Sequence, residues 1–478
     1  MPFVDNGAAL LYTFIDLSEV VLCGRSAKRG TFERRKMSIL QEIEEGLKLG
    51  LEEAKKPLAG DFTVVERHMI EGADEGGNAV AFGDNEEYMK WLLSKGYAGK
   101  FRLIYIDPPF FTKAKYDATI KLRDKDSKKH NIRHLAYDDT FDRDLTFYIK
   151  NMTSRLYLMR ELLADDGLLW VHLDWHSSHY IKIVLDELFG PKFFQNEIIW
   201  KYKSGGTGKR HFSRKHDTIL VYSKTAKYFL NVPQEKSYNR GLKPYRFKGV
   251  EEYRDRHGWY TMVNMKDVWA IDMLGRTSHE RTGYATQKPV DLMKRIIESS
   301  SEPGDLCGDF FCGSGSFLEA AEISGRRWIG CDSEKLAIGS TKKRLGEKAA
   351  AYDYYKIQDA EESAEDGVTS VFEMEKNREE ELGTGKKLYS YRVSAFLPHI
   401  DQGHISFKDR ELVDEIRAES PEQFIDYIMV DTDHDGRFLA EMTVTGGFDD
   451  IKFISRGNVA FIAVDIFGRE YFYEDKGR

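Results

Sequence analysis

Two short stretches of this chain combine residue types that can do chemistry. The first is 101-FRLIYIDPPFF-111, where an apolar run ends on Asp107 and is followed by Pro108, Pro109 and Phe110. Each proline removes an N–H donor and fixes φ, so carbonyl oxygens are left as acceptors beside the carboxylate. Acceptors next to a carboxylate suit a substrate carrying an NH2 group, and a flat ring beside them suits a planar one. An exocyclic amine on a nucleobase meets both demands. The second stretch is 309-DFFCGSGSFLEAA-321, in which Gly313 and Gly315 follow a strand pattern and open a helix pattern. There the backbone can approach a ligand closely and free N–H groups point outward. Asp332 ends the next strand pattern, where an acid would meet ribose hydroxyls. Leu318 stands where the dinucleotide fingerprint needs its third glycine, which disfavours nicotinamide or flavin and leaves a nucleoside. A ligand-free strand-to-helix connection is the weaker alternative for this glycine turn.

The elements that must carry these stretches read as an α/β fold. Helices are expected over 31–56, 86–96, 153–163, 177–190 and 289–300. Strands are expected over 101–106, 168–174, 197–202, 218–223 and 327–332. Strand and helix alternating at this spacing imply a parallel sheet. Both stretches then lie at the carboxyl ends of strands, on one rim, where open sheets of this kind bind ligands.

Composition limits the alternatives. The chain has 478 residues, 31% of them charged and 41% hydrophobic, as in ordinary globular proteins. No apolar run approaches the ~18 residues that cross a bilayer. The N-terminus reads as no signal peptide, and Cys23, Cys307, Cys312 and Cys331 form no CxxC pair, so a reducing cytoplasm is expected. The net charge of -8 conceals two opposite regions. Residues 201–256 hold 15 Lys+Arg against 5 Asp+Glu, whereas residues 346–478 hold 16 against 30. Aromatics interleave with the basic residues (Tyr202, Phe212, Tyr222, Tyr228, Tyr238, Tyr245, Phe247, Tyr253), a footprint that suits nucleic acid as well as a solvated basic surface.

With both stretches in view, the chain resembles the amino-group DNA methyltransferases that use S-adenosylmethionine, whose signature pairs a [DNS]PP[YFW] turn with an FxGxG loop. Here 107-DPPF-110 precedes 311-FCGSG-315, the circularly permuted order of the β group. The stretches 82-FGDNEEYMKWL-92, 164-ADDGLLWVHLDWHSSHYIKIVLDELFG-190 and 281-RTGYATQKPVDLMKRIIESS-300 are similar to further family segments. The likeness covers about residues 80–345 and is strongest to modification subunits of type III restriction systems.

The resemblance implies a Rossmann-like methyltransferase sheet over 79–345, with a target-recognition insertion at 203–284. Around it are expected an N-terminal helical extension (1–78), a linker (346–385) and a small acidic β-rich domain (386–478). It implies an adenine-N6 DNA methyltransferase, with cytosine-N4 or a non-DNA amine as alternative targets. Asp107 and the Pro108 carbonyl would accept the target amine's protons, and Pro109 would stiffen the turn. Phe110 would stack on a base flipped from the duplex. Phe311, Gly313 and Gly315 would line the methionine part of the cofactor. Asp309 would meet its ammonium, Asp332 the ribose and Asp84 the adenine amine. Thr286, Lys288 and Pro289 match the family's TQKP segment, whose helix start would receive the carboxylate. The resemblance departs at Phe110, where adenine-modifying relatives mostly carry tyrosine. Double-stranded DNA is the expected partner, with a second copy of the chain or a restriction subunit as further candidates.

Two motifs point elsewhere. The string 431-DTDHDG-436 begins like a calcium loop, but its twelfth position is Met442 and its flanks read as strands, so a hairpin turn is expected. His172, His176 and His179 surround Asp174 like a metal set, yet they straddle a strand end and a helix start, and no metal is expected.

Overall fold

The apolar runs become the middle of one large sheet. In the computed structural model, residues 37–68, 77–113, 115–138, 144–203, 209–275, 278–284, 286–357 and 370–475 are described. The first part of the expected N-terminal extension (1–36), Cys23 and the acidic stretch 359–366 lie outside the described residues.

In chain order the principal helices are α1 (Ile39–Ala54), α2 (Asn85–Ser94), α3 (Leu145–Leu162), α4 (Ser178–Phe189), α5 (Val290–Ser300), α6 (Ser316–Ile323) and α7 (Lys335–Glu347). The strands of the first half are β1 (Phe62–His68), β2 (Ala79–Phe82), β3 (Phe101–Ile106), β4 (Lys115–Arg123), β5 (Lys129–Asp138), β6 (Leu163–Leu173), β7 (Phe194–Lys201) and β8 (His216–Ser223). Five more complete the set used here: β9 (Val268–Ala270), β10 (Leu306–Asp309), β11 (Arg327–Asp332), β12 (Tyr352–Ile357) and β13 (Phe438–Ala440).

The eleven-stranded sheet runs β9-β7-β8-β6-β3-β10-β11-β2-β12-β1-β13. Its centre, from β6 through β12, is parallel. β8 is antiparallel to both β6 and β7. A central parallel strand is covered on both faces, so it must be apolar throughout. Accordingly Leu103, Ile104 and Ile106 of β3 are fully buried, each side chain contributing roughly 1.5–3 kcal/mol through burial. β3 and β10 are neighbours, pairing Cys307 with Leu103 and Gly308 with Ile104, although about 200 residues separate them in sequence. This adjacency brings the two chemically informative stretches together.

Three expected boundaries are corrected. The region expected as a helical extension supplies a strand: β1 pairs antiparallel with β12. The region expected as a linker supplies β12 itself, which buries Tyr352 and Tyr354, and the long strand Val371–Gly383, which pairs with Lys386–Leu397. The sheet thus extends beyond residues 79–345 at both ends, and β13 of the acidic region forms its edge beside β1. The expected helix over 31–56 is observed as α1, which crosses α3 closely. A Cβ at Gly46 would stand 2.7 Å from that of Ile149, and one at Gly50 would stand 2.5 Å from the Lys150 carbonyl oxygen, so only glycine permits this approach.

The acidic region folds into a three-stranded sheet and a four-stranded sheet. It is not a separate body: Ile120, Leu122 and Ile132 of the β4–β5 hairpin share its apolar core with Tyr391, Phe424, Phe461 and their neighbours. Backbone hydrogen bonds from Leu135 N to His404 O (2.8 Å) and from Ser406 N to Arg133 O (3.1 Å) fasten β5 to the C-terminal region. The string 431–436 is a turn between Ile425–Asp431 and β13. The Asp431 carboxylate there faces His434 Nδ1 (2.8 Å) and accepts from Leu439 N (2.8 Å). Among the described residues, no helix is long and apolar enough to cross a membrane.

Candidate active site

Strand β3 stops at Ile106 because Pro108 and Pro109 cannot donate to a neighbouring strand. The turn that follows is held from behind. Tyr148 of α3 donates its hydroxyl to the Pro109 carbonyl (3.0 Å) and stacks on Phe111, with ring centroids 5.0 Å apart. Phe111 and Lys113 take positive φ (+61° and +57°), a left-handed backbone that costs energy in residues with side chains and that concentrates at functional sites.

Asp107 is largely buried. Its Oδ2 pairs with the Lys288 ammonium, while its Oδ1 is buried with no hydrogen-bond partner among the described residues. A buried carboxylate oxygen without a donor is costly, and such an orphan calls for an explanation in the site's chemistry. The Lys288 ammonium also donates to the Thr286 carbonyl (3.3 Å) and sits 5.8 Å from the centroid of Phe110. Pro289 is the N-cap of α5, so the Thr286–Pro289 segment delivers Lys288 to the Asp107–Phe110 turn and then starts a helix.

The glycine loop leaves β10 at Asp309. Gly313 (φ +50°) and Gly315 (φ +75°) are both left-handed, and Gly315 caps α6. A Cβ on Gly315 would approach Thr341 Oγ1 to 2.7 Å, and that hydroxyl is committed to the Gly313 carbonyl (2.9 Å). Asp332, at the end of β11, accepts from Gly313 N (2.8 Å) and Glu334 N (3.0 Å), which ties the two loops together. Asp309 is almost fully buried and accepts from Phe311 N (3.1 Å). Burial, aided by the Asp107 and Asp332 charges, pushes its carboxyl well above the usual range, and burial likewise raises Asp332.

The two loops enclose a cavity of about 540 Å3, within the range of small-molecule sites. Of the expected residues, Asp84, Asp107, Pro108, Pro109, Phe110, Thr286, Lys288, Asp309, Phe311, Gly313 and Asp332 line it. Gly315 and Pro289 lie just behind, as helix caps. Five acids (Asp84, Asp107, Asp309, Asp332, Glu334) face two bases (Arg155, Lys288), so the wall favours a cationic ligand.

Several site residues escaped the sequence reading. Arg155 of α3 donates to Asn85 Oδ1 (2.6 Å), Glu86 Oε2 (3.2 Å) and Asp84 Oδ2 (2.8 Å). Asp84 is therefore committed on both sides, to this guanidinium and to the first N–H groups of α2. Behind Phe110, whose ring centroid is 6.1 Å from that of His172, runs a hydrogen-bonded chain. The Tyr105 hydroxyl meets His172 Nδ1 (2.9 Å), His172 Nε2 meets Asp217 Oδ2 (3.3 Å), and Tyr202 donates to Asp217 Oδ1 (3.0 Å). Burial pushes Asp217 up, but interactions with His172, the Lys288 charge and the Tyr202 hydrogen bond together outweigh it and hold the carboxyl below its usual range. His172, weighed from sequence as a metal ligand, thus braces the wall behind the stacking ring, while His176 contacts Asp174 (2.6 Å).

The DNA methylase family matches this chain over residues 101–343, half of its length. The chain belongs to the DNA methylase family. Within that family of N6/N4 amino-methyltransferases, the methylase is 31% identical over 328 residues to the type II methyltransferase M.EcaI of Enterobacter cloacae, covering 56% of this chain and 69% of that one. It is 29% identical over 161 residues to the EcoP15I Mod subunit, a type III restriction-modification enzyme of Escherichia coli, covering 31% of this chain and 24% of that subunit. A solved structure of the M1.HpyAVI–SAM complex matches with 19% identity and a TM-score of 0.35, over 56% of this chain and 98% of that one.

Proposed function

We propose that the methylase transfers a methyl group from S-adenosylmethionine to the N6 amine of an adenine flipped out of duplex DNA. The observation that carries this reading is the orphaned Asp107 Oδ1, buried beside the Pro108–Phe110 turn in the wall of the glycine-loop cavity. It is an acceptor waiting for an N–H donor. A planar amine stacked on Phe110 supplies one, with its other proton directed to the Pro108 carbonyl.

The cavity fits the cofactor. Its acidic excess suits a ligand that carries a sulfonium and an ammonium. Asp309 is placed to hold the ammonium, Asp332 the ribose hydroxyls, and the α5 start at Pro289 the carboxylate. Asp84, bonded to Arg155, presents its remaining capacity toward the adenine. S-adenosylmethionine, when bound, supplies an electrophilic methyl group.

The chain's own residues do the rest. Asp107 and Pro108 accept both amine protons and draw the nitrogen lone pair out of conjugation with the ring. Phe110 fixes the plane of the base. Lys288, paired with its Oδ2, keeps Asp107 oriented as positive charge develops on the nitrogen. Rate enhancement then comes from positioning and from electrostatics set up in advance. The target must leave the stack to reach this pocket. Residues 203–284, with the basic segment and a three-stranded sheet (Gln234–Tyr238, Tyr253–Asp255, Gly258–Asn264), serve target recognition. A restriction-modification setting accords with the named relatives, and a cytoplasmic location with a second copy or a nuclease subunit as partner belongs to the same proposal.

Nucleoside mass spectrometry of DNA from a methylation-deficient host expressing the chain tests the reading. N6-methyladenine that disappears with Asp107→Ala supports it. N4-methylcytosine in its place would keep the mechanism and overturn the adenine assignment.

A further inference from the structure

Phe212 is 100% exposed, an unusual condition for a phenylalanine. It stands in 209-KRHFSRK-215, where four Lys+Arg and one histidine surround it without a single acid. This segment belongs to the connection from β7 to β8. Because β8 runs antiparallel to β6, with Thr218 opposite Leu173, the connection leaves the sheet at the carboxyl end of β6. The catalytic turn leaves at the same end, since Ile106 of β3 pairs with Val171 of β6. The base of the connection therefore lies two strand spacings from that of the catalytic turn, about 10 Å.

The segment is also anchored. The Arg214 guanidinium lies 3.8 Å from the ring centroid of Trp175, a half-exposed residue just past the end of β6. Trp175 in turn lies against His176, with centroids 3.7 Å apart, and the Asp174 carboxylate faces the His176 ring and accepts its backbone N–H. Cation, indole and imidazole form a stack that fixes the chain two residues beyond Phe212.

We propose that Phe212 is a wedge that enters the duplex and fills the space left by the flipped base. The proposal rests on the reading of duplex DNA as substrate. A flipped base leaves its neighbours unstacked and its partner unpaired. An apolar ring inserted there restores stacking and holds the extruded state open. The cations on either side meet the phosphates that border the gap. Arg214 on Trp175 sets the wedge at a fixed offset from Asp107, so insertion and delivery of the base to the pocket are geometrically linked.

The test uses the full-length chain, tritiated S-adenosylmethionine and a duplex carrying the site mapped from the wild type's own products. Phe212→Ala is expected to lower single-turnover methyl transfer by about tenfold or more, whereas Phe212→Trp stays within about threefold of wild type. An abasic nucleotide opposite the target, which removes the pair to be broken, is expected to bring Phe212→Ala back to within about threefold. Melting temperatures of both variants should match wild type, because the ring is outside the core. Phe212→Ala working at the wild-type rate on the paired duplex would overturn the proposal. So would a defect equally large on the abasic duplex, which would make Phe212 a general docking residue. Absence of transfer by the wild type itself would instead defeat the reading of DNA as substrate, and the wedge with it.

Discussion

Lys288 and Asp107, 181 residues apart in sequence, are joined in an ion pair that uses only one carboxylate oxygen. The other, Oδ1, is buried without a donor. The lysine thereby orients the acid while engaging one of its two oxygens. Replacing Lys288 with methionine keeps the stem's packing and strands the buried charge. Losing one pre-set electrostatic group of this kind costs about a hundredfold in rate, so single-turnover methyl transfer by Lys288→Met should fall by about that much. A loss under threefold in a stopped-time assay with saturating cofactor would show that Asp107 does not depend on the lysine.

Asp309 lines the cavity at the expense of stability. Its carboxyl is raised in the folded chain, so the folded state retains a proton that the unfolded state has released once the pH passes about 4. Stability therefore falls as pH rises from there toward the raised value. Asp309→Asn removes the penalty and can still accept from Phe311 N. It should melt about 2–4 °C above wild type at pH 8, with the difference closing as the pH approaches 4. The same variant should bind S-adenosylmethionine about tenfold more weakly, because hydrogen bonding replaces charge. Calorimetric melts across pH and a cofactor titration check the two halves separately.

The two loop glycines should differ. Gly315→Ala forces a Cβ to 2.7 Å from Thr341 Oγ1 at a φ of +75°, whereas the nearest atom to a Cβ on Gly313 is the Tyr284 ring at 3.4 Å. The first substitution should cost about 1–3 kcal/mol and abolish measurable cofactor binding. The second should bind cofactor more weakly but retain the fold, as thermal melts with and without ligand would show.

The acidic region should prove inseparable from the catalytic turn. Ile132 of β5 is 1% exposed within the core shared with the C-terminal strands. Ile132→Ala should lower unfolding stability by about 2–5 kcal/mol and reduce methyl transfer as well, because the hairpin directly follows the strained Phe111–Lys113 segment. Denaturant melts and transfer assays at 20 °C and 37 °C distinguish lost rate from lost protein.

What the sequence made legible is what local chemistry determines. Asp107 with its prolines and Gly313 with Gly315 declare themselves because proline fixes φ and removes a donor, whereas glycine permits the left-handed backbone that other residues avoid. The parallel strand 101–106 was readable from its unbroken apolar run. Arg155 was not: it reads as one more cation on a helix, and only the packing of α3 against α2 points it at Asp84, Asn85 and Glu86. Nor were the pairing of β1 with β12 or the seating of the β4–β5 hairpin among C-terminal strands, since strand partners hundreds of residues apart leave no periodic trace. His172 is set aside as a metal ligand from its place at a strand end, but its partners in space, Tyr105 and Asp217, are remote in sequence and leave no sign there of its place behind Phe110.

The central claim is that Asp107 Oδ1 receives the amine of a flipped adenine, and the most direct test is transfer chemistry on defined DNA. Purified methylase would be incubated with tritiated S-adenosylmethionine and unmethylated bacterial DNA, beside Asp107→Ala, and the nucleosides separated by mass spectrometry. Label in N6-methyladenine for the wild type, with the variant lower by about a thousandfold yet still binding cofactor, is the predicted result. Asp107→Ala transferring methyl at the wild-type rate, or label appearing in no base, would contradict it.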